Sequence, residues 1–486
     1  MASFTRNILT LGAGNLIAQV ISVGLMPVIT RMYAPEDFGV FALYLSVVMV
    51  IFPVATLRFN SAIMLPEQER DAAGLLLLSW LSVFVVALIL IPVAIGVMIQ
   101  FGWTGGNLGL YVWLIPVGVA ILGCKQAAIF WMLRKKEYKR MSQAAISESV
   151  ADRGAVLGFA TIIGSAPHGL MIGRLIGPFV SLFLIVRTTI LPDLALLKGA
   201  AKSQRLAALA RRYKDFPLFS SWAFLANALG RELPTILLAV LFSPVAAGFY
   251  GLGMRVMNMP MMLIGDAVAK VFFQKASTQK DDLDGLRGFI LDLIVYVLIL
   301  VFPFTLGMML FGDEIFSWIF GVEWLNAGKI VQIMMLVFVC LFLQRILSSL
   351  LDVFEKQRER LALDVAMLVA RGSALFGVAL YGGSEFDGVW ALAISSIIIY
   401  VVYFKYILGL VSFSYMDFLH VCKWKVLFIM PLVIGFVGIN EFLRLDGVWL
   451  MLAIALAVSV EYIFLVLSDK KLRAYARKLI PGGVTA

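Results

Sequence analysis

The chain reads as an all-α polytopic membrane protein of about 14 transmembrane helices, arranged as two six-helix lobes related by a parallel repeat plus two C-terminal helices. Three observations predict this. Hydrophobic residues make up 62% of the 486 and charged residues only 14%, with a mean hydropathy of +0.96; soluble domains average roughly 45–50% apolar and 25% charged. Apolar runs of about 20 residues, long enough to cross a hydrocarbon core as helices, recur from end to end. The segments between them alternate in charge.

The spans, in order, fall near residues 8–30, 38–59, 72–99, 109–132, 142–164, 169–191, 217–242, 247–273, 288–311, 326–351, 361–381, 387–411, 424–443 and 447–467. The first is too long for a signal-peptide core and lacks a small-residue cleavage site, so it reads as a transmembrane helix. One set of loops holds Arg31, Glu36 and Asp37, then the nearly uncharged "GWTGGN", "SAPHG" and "SPVAAG", then Asp313, Glu314, Glu323, Glu385 and Asp387. The other holds "RKKEYKR" at 134–140, Lys198, Lys202, Arg205, Arg211, Arg212, Lys275, Lys280, Lys356, Arg358, Arg360, and a basic tail at 470–478. Lys and Arg in short loops mark the cytoplasmic side. Both termini are therefore expected inside, and the net charge of +10 reflects this bias rather than a nucleic-acid partner.

Residues 192–216 form the longest loop. Its stretch "LLKGAAKSQRLAALARRY" places Leu206, Leu209 and Ala210 on one helical face, and its basic residues suit a path along an anionic cytoplasmic membrane surface. This linker separates an N-terminal lobe, 1–191, from a C-terminal lobe, 217–411; the remainder, 412–486, carries the last two spans and the tail. "YAPEDFGVFAL" at 33–43 and "FSPVAAGFYGL" at 242–252 pair Pro35 with Pro244, Gly39 with Gly248, Phe41 with Tyr250 and Leu43 with Leu252, all at one offset. Arg153-Gly154 and Arg371-Gly372 add a second match in the same order.

Charge inside the spans carries the functional argument, because an Arg at mid-helix costs about 2.5–3.5 kcal/mol on insertion scales. Span five cannot reach across the hydrocarbon without Glu148, Asp152 and Arg153, and Arg153 lands near the midplane. Arg371, Arg231, Glu232, Arg255 and Asp266 lie inside other spans, with Asp364 toward the inner end of its own and Arg174 in the outer third of span six. Lys125, Arg345, Lys270, Arg187 and Lys405 sit close enough to the cytoplasmic ends to snorkel. Arginines spread over both lobes fit a hydrated cationic cavity for an anionic substrate, and structural ion pairs between helices are the alternative. Cys124, Cys340 and Cys422 lack metal spacing and His168 and His420 are too far apart for a zinc site, so no metal and no cofactor is expected. Soluble-enzyme motifs such as P-loops are absent.

At "TRMYAPEDFGVFALYLSVVMV" (30–50) and "LRFNSAIMLPEQERDAAGLLLLS" (57–79) the chain resembles bacterial polysaccharide transporters, the O-antigen and exopolysaccharide flippases of the multidrug/oligosaccharidyl-lipid/polysaccharide exporter superfamily. Arg31, Tyr33, Pro35, Glu36, Phe38 and Gly39 match the first family pattern; Arg58, Phe59, Ala62, Ile63, Leu65 and Pro66 match the second. Asn60 stands where an acid is usual.

The resemblance implies flipping of an undecaprenyl-diphosphate-linked oligosaccharide from the inner to the outer leaflet of the bacterial cytoplasmic membrane. The implied partners are this lipid-linked anionic glycan, membrane lipids, a polysaccharide polymerase and a chain-length regulator. Candidate substrate-binding residues are Arg153, Arg371, Arg231, Arg255, Arg58 and Arg31; candidates for binding a coupling H⁺ or Na⁺ are Glu148, Asp152, Asp364, Glu232 and Asp266. A cation-coupled drug antiporter would favour a carboxylate-dominated cavity, and a membrane polymerase or ligase would need a long outer loop. A cysteine at position 136 should react with impermeant thiol reagents from the cytoplasmic side only and one at 105 from outside only; same-side labelling would refute the span count.

Overall fold

The computed structural model describes residues 2–101, 111–280 and 282–413, and every regular element among them is helical. In chain order the α-helices are α1 (Ala2–Gly24), α2 (Met26–Met32), α3 (Pro35–Ala55), α4 (Phe59–Ala62), α5 (Glu69–Phe101) and α6 (Leu114–Arg134). They continue with α7 (Tyr138–Ile162), α8 (Pro167–Ile185), α9 (Leu194–Ala200), α10 (Ser203–Arg212), α11 (Ser221–Leu241) and α12 (Pro244–Pro260). The last are α13 (Asp266–Thr278), α14 (Leu283–Phe320), α15 (Leu325–Leu347), α16 (Ser349–Val353), α17 (Gln357–Leu380) and α18 (Glu385–Gly409).

Ten helical stretches among the described residues are long and apolar enough to cross a membrane. Two further expected spans are helical as well. Span five is α7, which its own charges make less apolar, and span eight is α12 running through a π-helical turn at Met261–Gly265 into α13. The expected spans 424–443 and 447–467, the tail, His420 and Cys422 lie outside the described residues. The protein is thus an all-α, multi-pass membrane protein. Large apolar side chains point outward in quantity, as Leu88, Ile89 and Ile99 do on α5, which suits lipid as the solvent.

Helix starts follow from local chemistry. Pro35, Pro167 and Pro244 each occupy the first helical position, where a missing N–H leaves no gap in the ladder. Asp37 accepts from the Ala34 N–H at 3.1 Å, and Asp387 does the same for Ser384 at 2.8 Å. The long α14 has non-helical torsions at Phe311, so its last turns, 312–320, form a separate piece beyond the apolar span expected at 288–311. Gln332 on α15 pins that kink by donating to Asp313 Oδ1 at 2.9 Å and to the Leu310 carbonyl at 3.3 Å.

The chain forms two compact units: Met1–Val256 with Arg358–Ile399, and Met257–Gln357 with the chain from Tyr400 on. In the first, α7 packs on α8 and α1, α3 on α11 and α6, and α5 on α6, α9 and α10. In the second, α14 and α15 pair along their lengths and α13 packs on α15 and α16.

The linker departs from expectation. Part of its apolar stripe packs on protein: Leu197, Ala200, Leu209 and Tyr213 are buried in one core with Ala72, Ala73, Leu75 and Leu76 of α5. Gly74 leaves room for Leu209, since a methyl group there would come within 2.5 Å of its Cδ1. Lys198, Lys202, Arg211 and Arg212 remain exposed. Protein, rather than lipid, takes up that part of the apolar face.

The α6–α7 turn clamps the same end of α5. Arg134 donates to the Ile63 carbonyl at 2.9 Å and to that of Pro66 at 2.6 Å, and Lys135 pairs with Glu69 at 3.0 Å and Asp193 at 3.5 Å. Asp193 also accepts from the fully buried Trp131 indole at 3.0 Å. Burial alone would lower the Lys135 pKa, but Glu69 and Asp193 outweigh it and the ammonium titrates above the ordinary lysine value. A raised folded pKa means the clamp's contribution is complete at neutral pH and fades only as pH climbs through that raised value. Arg134→Ala strips two buried carbonyls of charged donors, and a loss of about 1–3 kcal/mol is expected, read as a lower Tm in detergent; an unchanged Tm would refute the clamp.

Candidate functional site

Glycine spacing creates the site. On α8, Gly169, Gly173 and Gly177 recur every fourth residue and face α7 directly. A methyl group on Gly177 would lie 2.7 Å from Asp152 Cβ and 2.8 Å from the Glu148 carbonyl; one on Gly173 would lie 3.0 Å from the Val156 nitrogen. Small residues at this repeat let membrane helices approach backbone to backbone. The approach delivers Arg174 of α8 to Asp152 of α7, with Nη1 3.1 Å from Oδ2, and Asp152 is only 2% exposed. This repeat was readable in the sequence, and Arg174 could have been paired from it.

Glu148 stands one turn before Asp152 on α7. It accepts from Lys125 of α6 at 2.6 Å, and both side chains are largely buried. Lys125 therefore does not snorkel; it turns inward to a partner on the next helix. Arg153 donates to Ser22 of α1 at 3.2 Å, while its buried Nε has no acceptor among the described residues. Arg174 Nε is likewise buried without one. Ser22 in turn lies 3.3 Å from Ser149, which donates to the Ala18 carbonyl at 2.7 Å.

Arg255 approaches from α12. Its guanidinium lies 5.8 Å from the centre of the Phe41 ring and 3.9 Å from the Met26 sulfur. No carboxylate pairs with it among the described residues, and Arg153, Arg174 and Asp152 are the charges within its electrostatic reach. An aromatic face and a thioether hold a cation weakly compared with a carboxylate. The cluster thus sets four cations, Lys125, Arg153, Arg174 and Arg255, against two carboxylates, Glu148 and Asp152. Two formal positive charges are left over.

The remaining candidates lie apart from this cluster's contacts. Arg371 on α17 donates to Ser396 of α18 at 2.9 Å and to the Gly230 carbonyl of α11 at 3.4 Å. Glu232 of α11 accepts from Ser46 of α3 at 2.9 Å, and Arg231 is exposed. Arg58 stacks 3.5 Å over the Phe224 ring with φ +60°. Arg31 is exposed on α2, Asp364 is half-buried on α17, and the Asp266 side chain lies outside the described residues. Ser22, Ser46, Lys125 and Arg174 join the list of residues that touch these candidates. The hydroxyls of Ser22 and Ser46 carry too little sequence signal to be picked out without the contacts.

Comparison with known proteins supplies the family. A family model described as polysaccharide biosynthesis protein matches residues 28–329. The teichuronic acid biosynthesis protein TuaB of Bacillus subtilis (strain 168) is 27% identical over 197 residues, 40% of each chain. The lipopolysaccharide biosynthesis protein WzxC of Escherichia coli (strain K12) is 28% identical over 122 residues, 24% of this chain and 25% of that one. The chain thus spans well under two thirds of the curated relatives it matches. Among solved structures, the lipid II flippase MurJ in an inward closed conformation superposes with a TM-score of 0.72 at 12% identity, covering 96% of this chain and 99% of its own. An inward-facing multidrug resistance MATE family transporter of the MOP superfamily gives 0.66 at 15% identity, covering 81% and 94%. Likeness at such low identity establishes a shared fold. The match over residues 28–329, more than half of the chain, makes this protein a member of the polysaccharide biosynthesis protein family.

Proposed function

We propose that the protein is a flippase that carries an undecaprenyl-diphosphate-linked oligosaccharide from the cytoplasmic to the outer leaflet, with the buried cation cluster as its diphosphate site. The observation that carries this reading is the charge surplus. Four cations face two carboxylates, Arg255 has no acid partner among the described residues, and Arg153 and Arg174 each hold a buried Nε without an acceptor. A polyprenyl diphosphate ester brings about two negative charges and several acceptor oxygens, which fits the surplus and the orphaned donors. Without cargo, the ion pairs limit the penalty of holding this charge in a low-dielectric region.

In this reading the lobes 1–191 and 217–411 alternate about the path, 192–216 joins them, both termini face the cytoplasm, and the membrane is the bacterial inner membrane. Arg371 and Arg231, with Arg58 and Arg31, contribute at other stages of passage. A polymerase and a chain-length regulator would take the glycan on the far side. The drug-antiporter reading is weaker, because Glu148 and Asp152 are already occupied by Lys125 and Arg174. A polymerase or ligase would need more room than turns such as 163–166 and 381–384 offer on the outer side.

Arg255→Ala should reduce export of surface glycan by about tenfold to a hundredfold, the range expected for losing one charge-assisted bond, while the protein inserts and folds. Arg255→Lys should keep part of the activity, since charge survives and the planar fork does not. Normal export in a folded Arg255→Ala protein would reject the site.

Among Glu148, Asp152 and Glu232, coupling to an ion falls to Glu232. Glu148 and Asp152 are in ion pairs, whereas Glu232 is held by the Ser46 hydroxyl and exchanges a proton without breaking one. Glu232→Gln is expected to export at a rate that no longer responds to the transmembrane pH gradient; retention of the wild-type response would remove Glu232 from that role.

A further inference from the structure

The glycine repeat that seats α8 on α7 stops short of the end of the helix pair. Four residues past Gly177 comes Ser181, and four further on comes Ile185, a branched side chain where the repeat had hydrogen. Past Ser181 the helices part, and a cleft of about 300 Å³ opens between them. Arg140, Gln143 and Ser147 line it from α7. Leu184, Ile185 and Thr188 line it from the end of α8 and the π-helical turn Val186–Ile190 that follows. The volume stands at the lower end of the range for small-molecule sites.

The polar groups of this cleft are only partly used. Glu137 holds its mouth, one carboxylate oxygen accepting from Arg140 and the other from Thr189 of the π-helical turn. An arginine has five N–H donors; the ion pair takes one from Arg140, whose side chain is 46% exposed. Thr188 donates to the Leu184 carbonyl at 2.7 Å, within its own helix. Gln143 and Ser147 form no hydrogen bond with another described residue, so an amide and a hydroxyl line the cleft with their donors free. Lys139 and Arg187, each next in sequence to a lining residue, are exposed, and the mouth sets three cations against the Glu137 carboxylate. Gln143 and Val150 lie on the side of α7 opposite Asp152. Val150 is 53% exposed, so the cleft opens away from the cation cluster. It adjoins the basic turn 134–140, which the charge rule puts in the cytoplasm.

We propose that this cleft binds an anionic glycerophospholipid of the cytoplasmic leaflet. The phosphate sits at the mouth and accepts from Arg140, headgroup or ester oxygens reach Gln143 and Ser147, and an acyl chain runs along Leu184 and Val150. Each part of the lipid meets its own chemistry: charge at the interface, amide and hydroxyl one turn in, apolar surface beyond. A lipid seated here fills the stretch of the α7–α8 seam that the glycines leave open, beside the turn of α7 that carries Glu148. The site is separate from the proposed cargo site and stands whether or not that reading holds.

The test uses the purified full chain in detergent with dioleoylphosphatidylglycerol or dioleoylphosphatidylcholine added. In native mass spectrometry one phosphatidylglycerol should stay bound at collision energies that strip phosphatidylcholine, and only the anionic lipid should raise Tm. The double variant Gln143→Leu with Ser147→Leu fills the cleft and removes both donors. It should retain about tenfold less phosphatidylglycerol and lose the lipid-induced rise in Tm. Equal retention of the two lipids would overturn the site, as would undiminished phosphatidylglycerol on the folded double variant. A rise in Tm with inorganic phosphate equal to that with phosphatidylglycerol would make it a soluble-anion site and reject the lipid. If the double variant fails to fold, Arg140→Gln decides, because its exposed pair with Glu137 contributes little to stability. That variant must bind less phosphatidylglycerol while phosphatidylcholine is unaffected; unchanged retention overturns the proposal.

Discussion

Charge buried among lipid-facing helices has to be met by charge or by hydrogen-bond donors and acceptors, and this constraint organises the first unit. Asp152 at 2% exposure survives there because Arg174 reaches it, and Arg174 reaches it because Gly173 and Gly177 carry no side chain. Lys125 and Glu148 solve the same problem one turn away. Arg255 solves it least completely, with a ring and a sulfur in place of a carboxylate. Replacing such a network by apolar residues is often neutral or stabilising for folding alone. Retaining it with a net positive charge makes sense when a mobile anion completes it.

Much of the architecture was legible because the bilayer imposes a coarse and strong rule: a span must be long and apolar. The twelve expected spans that fall on described residues are all helical, including α7, whose charges hide it from a simple hydropathy criterion. The kink at Phe311 even coincides with the end expected for span nine. Loop chemistry such as Pro35 and Asp37 at a helix start could be read locally, since capping depends on neighbours a few residues apart.

What stayed hidden were partners distant in sequence. The apolar stripe of α10 was visible, but whether lipid or α5 covers it depends on Gly74, whose role appears only when the helices are brought together. Lys125 has the stem length to reach either the interface or Glu148, and composition cannot choose between them. Arg371 resembled Arg153 by its repeat position, yet one donates to Ser396 and the Gly230 carbonyl and the other to Ser22. Repeat symmetry fixes backbone placement more firmly than it fixes side-chain partners.

The core beneath the linker has a further consequence for how the chain is made. Its buried members run from Phe59 to Tyr213, drawn from α4, α5, α6, α7, the end of α8, α9 and α10. Among the described residues, none comes from α11 or later. Every buried contact of this cap is therefore available before α11 is synthesised, although the compact unit it belongs to is completed only by later helices. The linker thus starts from residues that are packed against α5 without help from any later helix among the described residues.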